Sequence, residues 1–162
     1  MPDDVDRLLA DWRRERPDAD LSPMEVLSRV SRLSHLLDQA RKKAFADHDI
    51  VGWEFDVLAA LRRIGAPYEL SPGRLIKETL VTSGTMTNRV DRLVARGLVS
   101  RSPDPDDRRG VLVGLTDAGR TAVDGALESL LVEEDELLRG LDGAERRQLS
   151  ALLRALMLHV SA

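Results

Sequence analysis

The chain has 162 residues, a formal net charge of -4 and no cysteine, which excludes disulfide bonds, thiolate catalysis and cysteine-based redox sensing. Hydrophobic residues make up 43%, charged residues 32% and aromatic residues 3%, a composition typical of a helix-rich globular protein. This length predicts one domain over residues 1–162. The acidic N-terminus and the lack of an apolar run of membrane-spanning length predict a cytoplasmic location and no membrane partner.

Two helices are predicted before residue 50. Apolar residues recur at helical spacing in the first sixteen residues, at Val5, Leu8, Leu9 and Trp12, and Pro17 ends this extension helix, which we place within 1–20. Ser22 then stands as an N-cap, with Pro23 at the first helical position and Glu25 at the third, a capping box that opens a second helix within 21–48.

A winged helix-turn-helix is predicted for residues 52–115. Gly52 precedes a third helix whose inward residues are predicted to be Trp53, Val57, Leu58, Leu61 and Ile64. Ser71 and Pro72 open a short helix to about Thr79, and a turn joins it to a helix over 82–96. Gly97 is placed as a C-cap glycine, and 98–101 and 111–115 alternate as a β-hairpin should. The fold class is therefore mainly α with a small β-hairpin wing.

The predicted helices at the two ends of the chain carry more apolar surface than one small winged-helix unit can cover. Thr116 caps a long helix that continues to about Arg139, and Asp142 with Glu145 forms the capping box of a final helix. This apolar surplus at both ends of the chain predicts that 21–48 and 116–162 are dimerisation helices of a homodimer.

The helix over 82–96 separates into an apolar and a polar face. Steps of 100° place Met86, Val90, Leu93 and Val94 on a core-facing stripe. The residues that point away from this stripe are Gly84, Thr85, Asn88, Asp91 and Arg92. Short hydroxyls and an amide near the helix N-terminus, with an arginine, are the chemistry that reads base edges in the major groove; these candidate DNA contacts are Ser83, Thr85, Thr87, Asn88 and Arg92. Residues 73–120 also hold nine Lys/Arg against six Asp/Glu, so positive charge concentrates here despite the acidic total.

The segment between the two predicted strands is typical of a DNA-contacting wing. Its sequence SPDPDDRRG combines turn residues with Arg108 and Arg109 near the tip, where a guanidinium reaches a minor groove or a phosphate. An aspartate there is able to orient an arginine. Double-stranded DNA is therefore the expected partner.

These motifs, SGTMTNRVDRL and DPDDRRGVLVGLT together with the flanking helices, resemble the MarR family of winged-helix regulators over nearly the whole chain. The resemblance implies a dimer, usually a repressor released by a small ligand, with dimerisation through the terminal helices. It also implies that the two recognition helices enter successive major grooves of a pseudo-palindromic operator.

The extra N-terminal helix is similar to that of the urate-responsive subfamily. That resemblance implies a ligand site at Trp12, Asp56, Arg89 and Arg101. Urate is a flat anion, for which an indole face, arginine forks and a carboxylate acceptor are suitable partners. Arg89 falls at the edge of the core stripe, which predicts that a ligand drawing Arg89 inward would shift the recognition helix.

Alternative functions remain at this level. A tricarboxylate such as citrate or trans-aconitate also suits paired arginines, and a protein-interaction scaffold without DNA binding is a further alternative. His48 beside Asp49 is a weak metal motif, so neither a metal nor a cofactor is predicted. No nucleophile elbow, P-loop or zinc-protease motif is present in the sequence, which predicts that the protein is not an enzyme.

Overall fold

The computed structural model describes residues 1–107 and 110–160, and this part of the chain is mostly helical with one small antiparallel sheet. The fold class predicted from the sequence is confirmed. The helices are α1 (Asp4–Glu15), α2 (Ser22–Ala46), α3 (Gly52–Arg63), α4 (Pro72–Thr79), α5 (Ser83–Ala95), α6 (Asp117–Leu137) and α7 (Gly143–Val160). The strands are β1 (Glu69–Leu70), β2 (Val99–Pro103) and β3 (Val111–Leu115). Among these helices, none has the length and apolar character needed to cross a bilayer.

The chain divides into two compact units, Met1–Arg41 and Lys42–Ala162. In the first unit, Asp3 caps α1 and the side chain of Arg29 on α2 reaches both Asp3 and Asp6, at 2.8 and 2.6 Å. The predicted N-cap role of Ser22 is wrong, because α2 begins at Ser22 itself. The carboxylate of Asp20, two residues before Ser22, accepts from the Ser22 backbone N–H at 3.0 Å.

The second unit is built around α3 and α5. Val57, Leu58 and Leu61 of α3 are fully buried, and the rings of Phe45 and Phe55 stack with centroids 4.5 Å apart. Ile64 is 40% exposed, contrary to the prediction, because α3 ends at Arg63 and its inward stripe ends with it.

The inward face of α5 is narrower than predicted. Met86, Val90 and Leu93 are buried, with exposed fractions of 2% or less, as the helical wheel predicts. Val94 is 38% exposed because it lies 80° from Met86 on the wheel, at the rim of this buried stripe.

The sheet has the strand order β1-β3-β2, with both pairings antiparallel. The predicted hairpin is β2 with β3, in the register Val99 opposite Leu115 through Pro103 opposite Val111. Strand β1, in which Leu70 pairs with Val113, was not predicted, because two residues are too short to show an alternating pattern.

The junction between α5, β2 and α6 is closed by backbone caps. Gly97 has a positive φ of 69°, and the Leu98 N–H donates to the Leu93 carbonyl at 3.0 Å, a Schellman ending as predicted. The Thr116 hydroxyl accepts from the Gly119 N–H at 3.0 Å and caps α6. These caps fix where the wing begins relative to α5.

The predicted capping box of α7 is present. The Asp142 carboxylate accepts from the Glu145 N–H at 2.9 Å, and the Glu145 carboxylate accepts from the Asp142 N–H at 2.8 Å. Although α7 carries a leucine stripe, none of its 18 residues is buried within this chain.

Candidate nucleic-acid interface

The polar face of α5 is open to solvent. Five predicted contact residues are exposed: Ser83, Thr85, Thr87, Asn88 and Arg92. Thr82 is the N-cap, and its hydroxyl lies 2.9 Å from that of Thr85, while Thr87 donates to the Ser83 carbonyl at 3.2 Å. The helix therefore begins with short polar groups held close to its N-terminus, where the helix dipole favours an anion such as phosphate.

Trp53 of α3 forms an aromatic platform beside this face. The guanidinium carbon of Arg92 lies 4.9 Å from the indole centroid, and that of Arg89 lies 5.5 Å from it. The same shallow groove is lined by Gly84, Thr85 and Asn88. Trp53 was predicted only as an inward residue, so its contact with cations was not predicted. The sequence signal for that contact is the i, i+3 spacing of Arg89 and Arg92, which places both arginines on one side of α5.

The wing strand is joined to α5 by an ion pair. Arg101 of β2 contacts the Asp91 carboxylate at 2.7 Å, and both side chains are about half exposed. Arg101, predicted to bind a ligand, therefore has a partner on α5 in this structure.

A second ion pair anchors the C-terminal end of α5. Arg96 contacts the Glu54 carboxylate at 2.7 Å and the Asp49 carboxylate at 2.8 Å, and it also donates to the Asp49 carbonyl. The Glu54 side chain is only 4% exposed and also accepts from the Val51 N–H at 3.0 Å. The hydrogen bond to Glu54 is the main cause that raises the pKa of Arg96.

The anchor of Arg96 on Glu54 was not predicted, although the sequence carries a signal for it. Glu54, Val57, Leu58 and Leu61 stand at i, i+3, i+4 and i+7, which places Glu54 on the apolar stripe of α3. A carboxylate in that position requires a buried partner, because an unpaired charge there would be costly.

The base of the wing is held by its aspartates and Gly110. The Asp104 N–H donates to the Gly110 carbonyl at 3.0 Å, and the Asp104 carboxylate accepts from the Asp106 N–H at 2.9 Å. The candidate DNA contacts Arg108 and Arg109 lie outside the described residues.

The candidate ligand residues lie in both units. Trp12, 46% exposed, lies on α1 in the first unit. In the second unit, Asp56 is exposed on α3, Arg89 is half-buried on α5, and Arg101 is exposed on β2. Within the second unit, the contacts described above place Arg89 against Trp53 and Arg101 against Asp91.

The weak metal motif is engaged in other contacts. His48 Nε2 lies 2.9 Å from the Ser129 hydroxyl, and Asp49 pairs with Arg96. Among residues 1–107 and 110–160, no group of three or more His, Cys, Asp and Glu side chains is arranged to hold a metal ion.

A short helix, a turn, a second helix with an exposed polar face and a β-hairpin closing onto it define a winged helix-turn-helix protein. A profile of the MarR family matches residues 48–110. The chain is also 38% identical over 157 residues to the HTH-type transcriptional regulator PecS of Dickeya dadantii, a match that spans 97% of this chain and 95% of that protein. The chain therefore belongs to the MarR family of transcriptional regulators, and its relatives are regulators rather than enzymes.

Two solved structures extend the comparison. A mutant MarR from E. coli complexed with operator DNA is 30% identical, with a TM-score of 0.68, and the match covers 85% of this chain and 99% of that one. Bordetella bronchiseptica BpsR is 31% identical, with a TM-score of 0.69, and the match covers 82% of this chain and 92% of that one. The DNA binding of BpsR is regulated by 6-hydroxynicotinic acid.

Proposed function

We propose that this protein is a repressor that binds a pseudo-palindromic operator as a homodimer and is released by a small anionic ligand such as urate. The observation that carries the DNA-binding part is the exposed face of α5. Hydroxyls and an amide near the helix N-terminus are followed there by Arg92, which is suited to read guanine. The MarR relative solved with operator DNA supports the same use of this fold.

Exposed leucines on α7 support the homodimer. Leu152, Leu153 and Leu156 are 62%, 36% and 39% exposed, although they stand on one stripe of the helix. A continuous apolar stripe on a helix without buried residues is suited to pack against a second copy. Leu156→Glu is expected to give a monomer that has lost operator binding, whereas Gln148→Glu on the same helix retains both dimer and binding. Light scattering after gel filtration measures the oligomeric state of each variant. A Leu156→Glu protein that is still dimeric contradicts a dimer interface on α7.

Operator binding is tested on duplexes of random sequence. Wild-type protein is used to enrich duplexes from a random-sequence library, and affinities are then measured by fluorescence anisotropy at several salt concentrations. Arg92→Ala is expected to relax preference at one base pair by about 1–3 kcal/mol, while Arg109→Ala weakens binding to all duplexes and lowers the salt dependence. Failure to enrich any duplex would refute DNA reading by α5.

A flat anion as effector is supported by the arginines near α5. Arg89 and Arg101 offer forked donors, and Asp56 offers an acceptor for a ring N–H of a purine. Arg89 is half-buried whereas Asn88 is exposed, which agrees with ligand binding by Arg89 and DNA contact by Asn88. The BpsR relative, whose DNA binding responds to an aromatic acid, supports a ligand of this shape.

The effector is identified by titrating the protein and its enriched duplex with urate, citrate or trans-aconitate. Urate is expected to weaken binding about 5- to 150-fold, the usual range of allosteric coupling. Asp56→Asn should lose this response, while Arg120→Gln, far along the chain on α6, should keep it. Unchanged affinity at saturating urate refutes the purine effector, and release by a tricarboxylate alone would assign the ligand to that class.

A further inference from the structure

Trp53 holds two arginines of the DNA-reading helix on one aromatic ring. Its indole is partly buried and packs against the core of the second unit. The guanidinium carbons of Arg92 and Arg89 lie 4.9 and 5.5 Å from the ring centroid. A tryptophan needed only for packing would be covered by apolar side chains, whereas this one is half-buried beneath cations.

We propose that Trp53 is a positioning residue for DNA recognition that pre-orients Arg92 on the reading face of α5. The proposal rests on the proposed DNA contact through α5. A guanidinium above an aromatic ring can turn its flat face to the indole, which leaves its N–H donors free in the plane. Those in-plane donors are the ones that fork onto guanine O6 and N7.

Pre-orientation affects both affinity and discrimination. A free arginine loses rotamer freedom when it docks on a base edge, whereas a stacked one has already lost part of it. Loss of the ring should therefore weaken binding and reduce preference at the base pair that Arg92 reads. A contact of this kind at a partly exposed site corresponds to about a two- to fivefold effect.

The contact is tested first without DNA. In the Trp12→Phe background, Trp53 is the remaining tryptophan, so its fluorescence is observed alone. Replacing both Arg89 and Arg92 by alanine is expected to raise the acrylamide quenching constant, because the guanidinium groups shield one ring face. Unchanged quenching would overturn the proposal whether or not the protein binds DNA.

The effect on recognition is tested with the duplex enriched by the wild-type protein. Trp53→Leu and Trp53→Met both remove the ring, so failure of one to fold leaves the other, and Trp53→Phe keeps a flat ring as the rescue variant. The matched control is Tyr68→Leu, which removes an aromatic ring lying 5.3 Å from Arg62, outside α5.

The decisive measurement is discrimination at the base pair where Arg92→Ala relaxes preference. Discrimination is the ratio of the affinities for the enriched duplex and for the same duplex with that base pair changed. It should fall about two- to fivefold in Trp53→Leu and Trp53→Met and stay near the wild-type value in Trp53→Phe and Tyr68→Leu. In the Arg92→Ala background, Trp53→Leu should reduce it no further. Wild-type discrimination in both ring-removal variants, or equal losses with and without Arg92, would overturn the proposal. Lack of any enriched duplex would instead show that the proposed DNA reading itself fails.

Discussion

The anchor between Arg96 and Glu54 predicts a measurable loss of stability when Arg96 is replaced by methionine. Breaking a fully buried pair by removing one partner costs about 3–5 kcal/mol. Here Glu54 is 4% exposed but Arg96 is 35% exposed, so solvent screens part of the interaction. In the Arg96→Met protein the Glu54 carboxylate also keeps its hydrogen bond from the Val51 N–H. We therefore expect a cost of about 2 kcal/mol, which is about half of the fully buried value.

Urea denaturation at fixed protein concentration measures this cost, and a loss of about 2 kcal/mol corresponds to a melting temperature lower by about 4–8 °C. Adding Glu54→Gln to Arg96→Met should recover part of the loss, because it removes the buried charge that the first change leaves unpaired. Arg120→Met is the control, since its pair with Asp117 is exposed and should contribute less than about 0.5 kcal/mol. A cost for Arg96→Met as small as that of the control would refute the reasoning.

Gly119→Ala is expected to destabilise by about 1–3 kcal/mol in urea, because a Cβ there would lie 2.0 Å from the Leu98 carbonyl oxygen; Gly73→Ala, with open space around it, should be neutral or stabilising. Thr116→Ala removes the N-cap of α6 and should cost about 1 kcal/mol by the same assay, with Thr116→Ser largely retaining stability. The hydrogen bond from Arg29 is the main cause that lowers the pKa of Asp3 below its ordinary value of 3.8. This interaction stabilises the first unit above that value and is lost as the pH falls through the lowered pKa. Trp12 fluorescence in a Trp53→Phe protein should therefore change below about pH 4. The same pH dependence in a protein that also carries Asp3→Asn would show that the change does not come from Asp3.

The sequence predicted the helices, their caps and the hairpin because these depend on local chemistry. Gly97 has the positive φ that the C-cap pattern requires, and Thr116 caps the helix that follows it. The predictions were wrong or incomplete where a side chain's role depends on a partner distant in sequence, or on the exact residue at which a helix begins. Ser22 is the first residue of α2 rather than its N-cap, and the Asp20 carboxylate accepts its backbone N–H. Glu54 was missed because its partner is 42 residues away.

The candidate site was predicted less completely than the fold. A helical wheel gives the direction in which a side chain leaves the helix, so it correctly separated Met86 and Val90 from the exposed Asn88. It does not give the end point of a long arginine. Arg89 and Arg92 are i, i+3 neighbours on α5, but the wheel alone does not show that both guanidinium groups lie over the indole of Trp53 on another helix. The contact of Arg101 with Asp91 likewise depends on the pairing of a strand with a helix.

The contacts that hold α5 differ in strength along its length, and this difference limits how an effector could move it. Near the middle of α5, two partly exposed contacts join it to its neighbours: the ion pair of Asp91 with Arg101 and the cation–π contact of Arg92 with Trp53. Each contact is worth about 1 kcal/mol or less. Its C-terminal end is held by the buried carboxylate of Glu54. Allosteric coupling of about 1–3 kcal/mol is enough to replace the exposed contacts but would be largely consumed in breaking the buried one. A ligand that captured Arg89 or Arg101 should therefore replace the exposed contacts near the middle of α5, while the anchor of Arg96 on Glu54 and the buried apolar stripe stay in place.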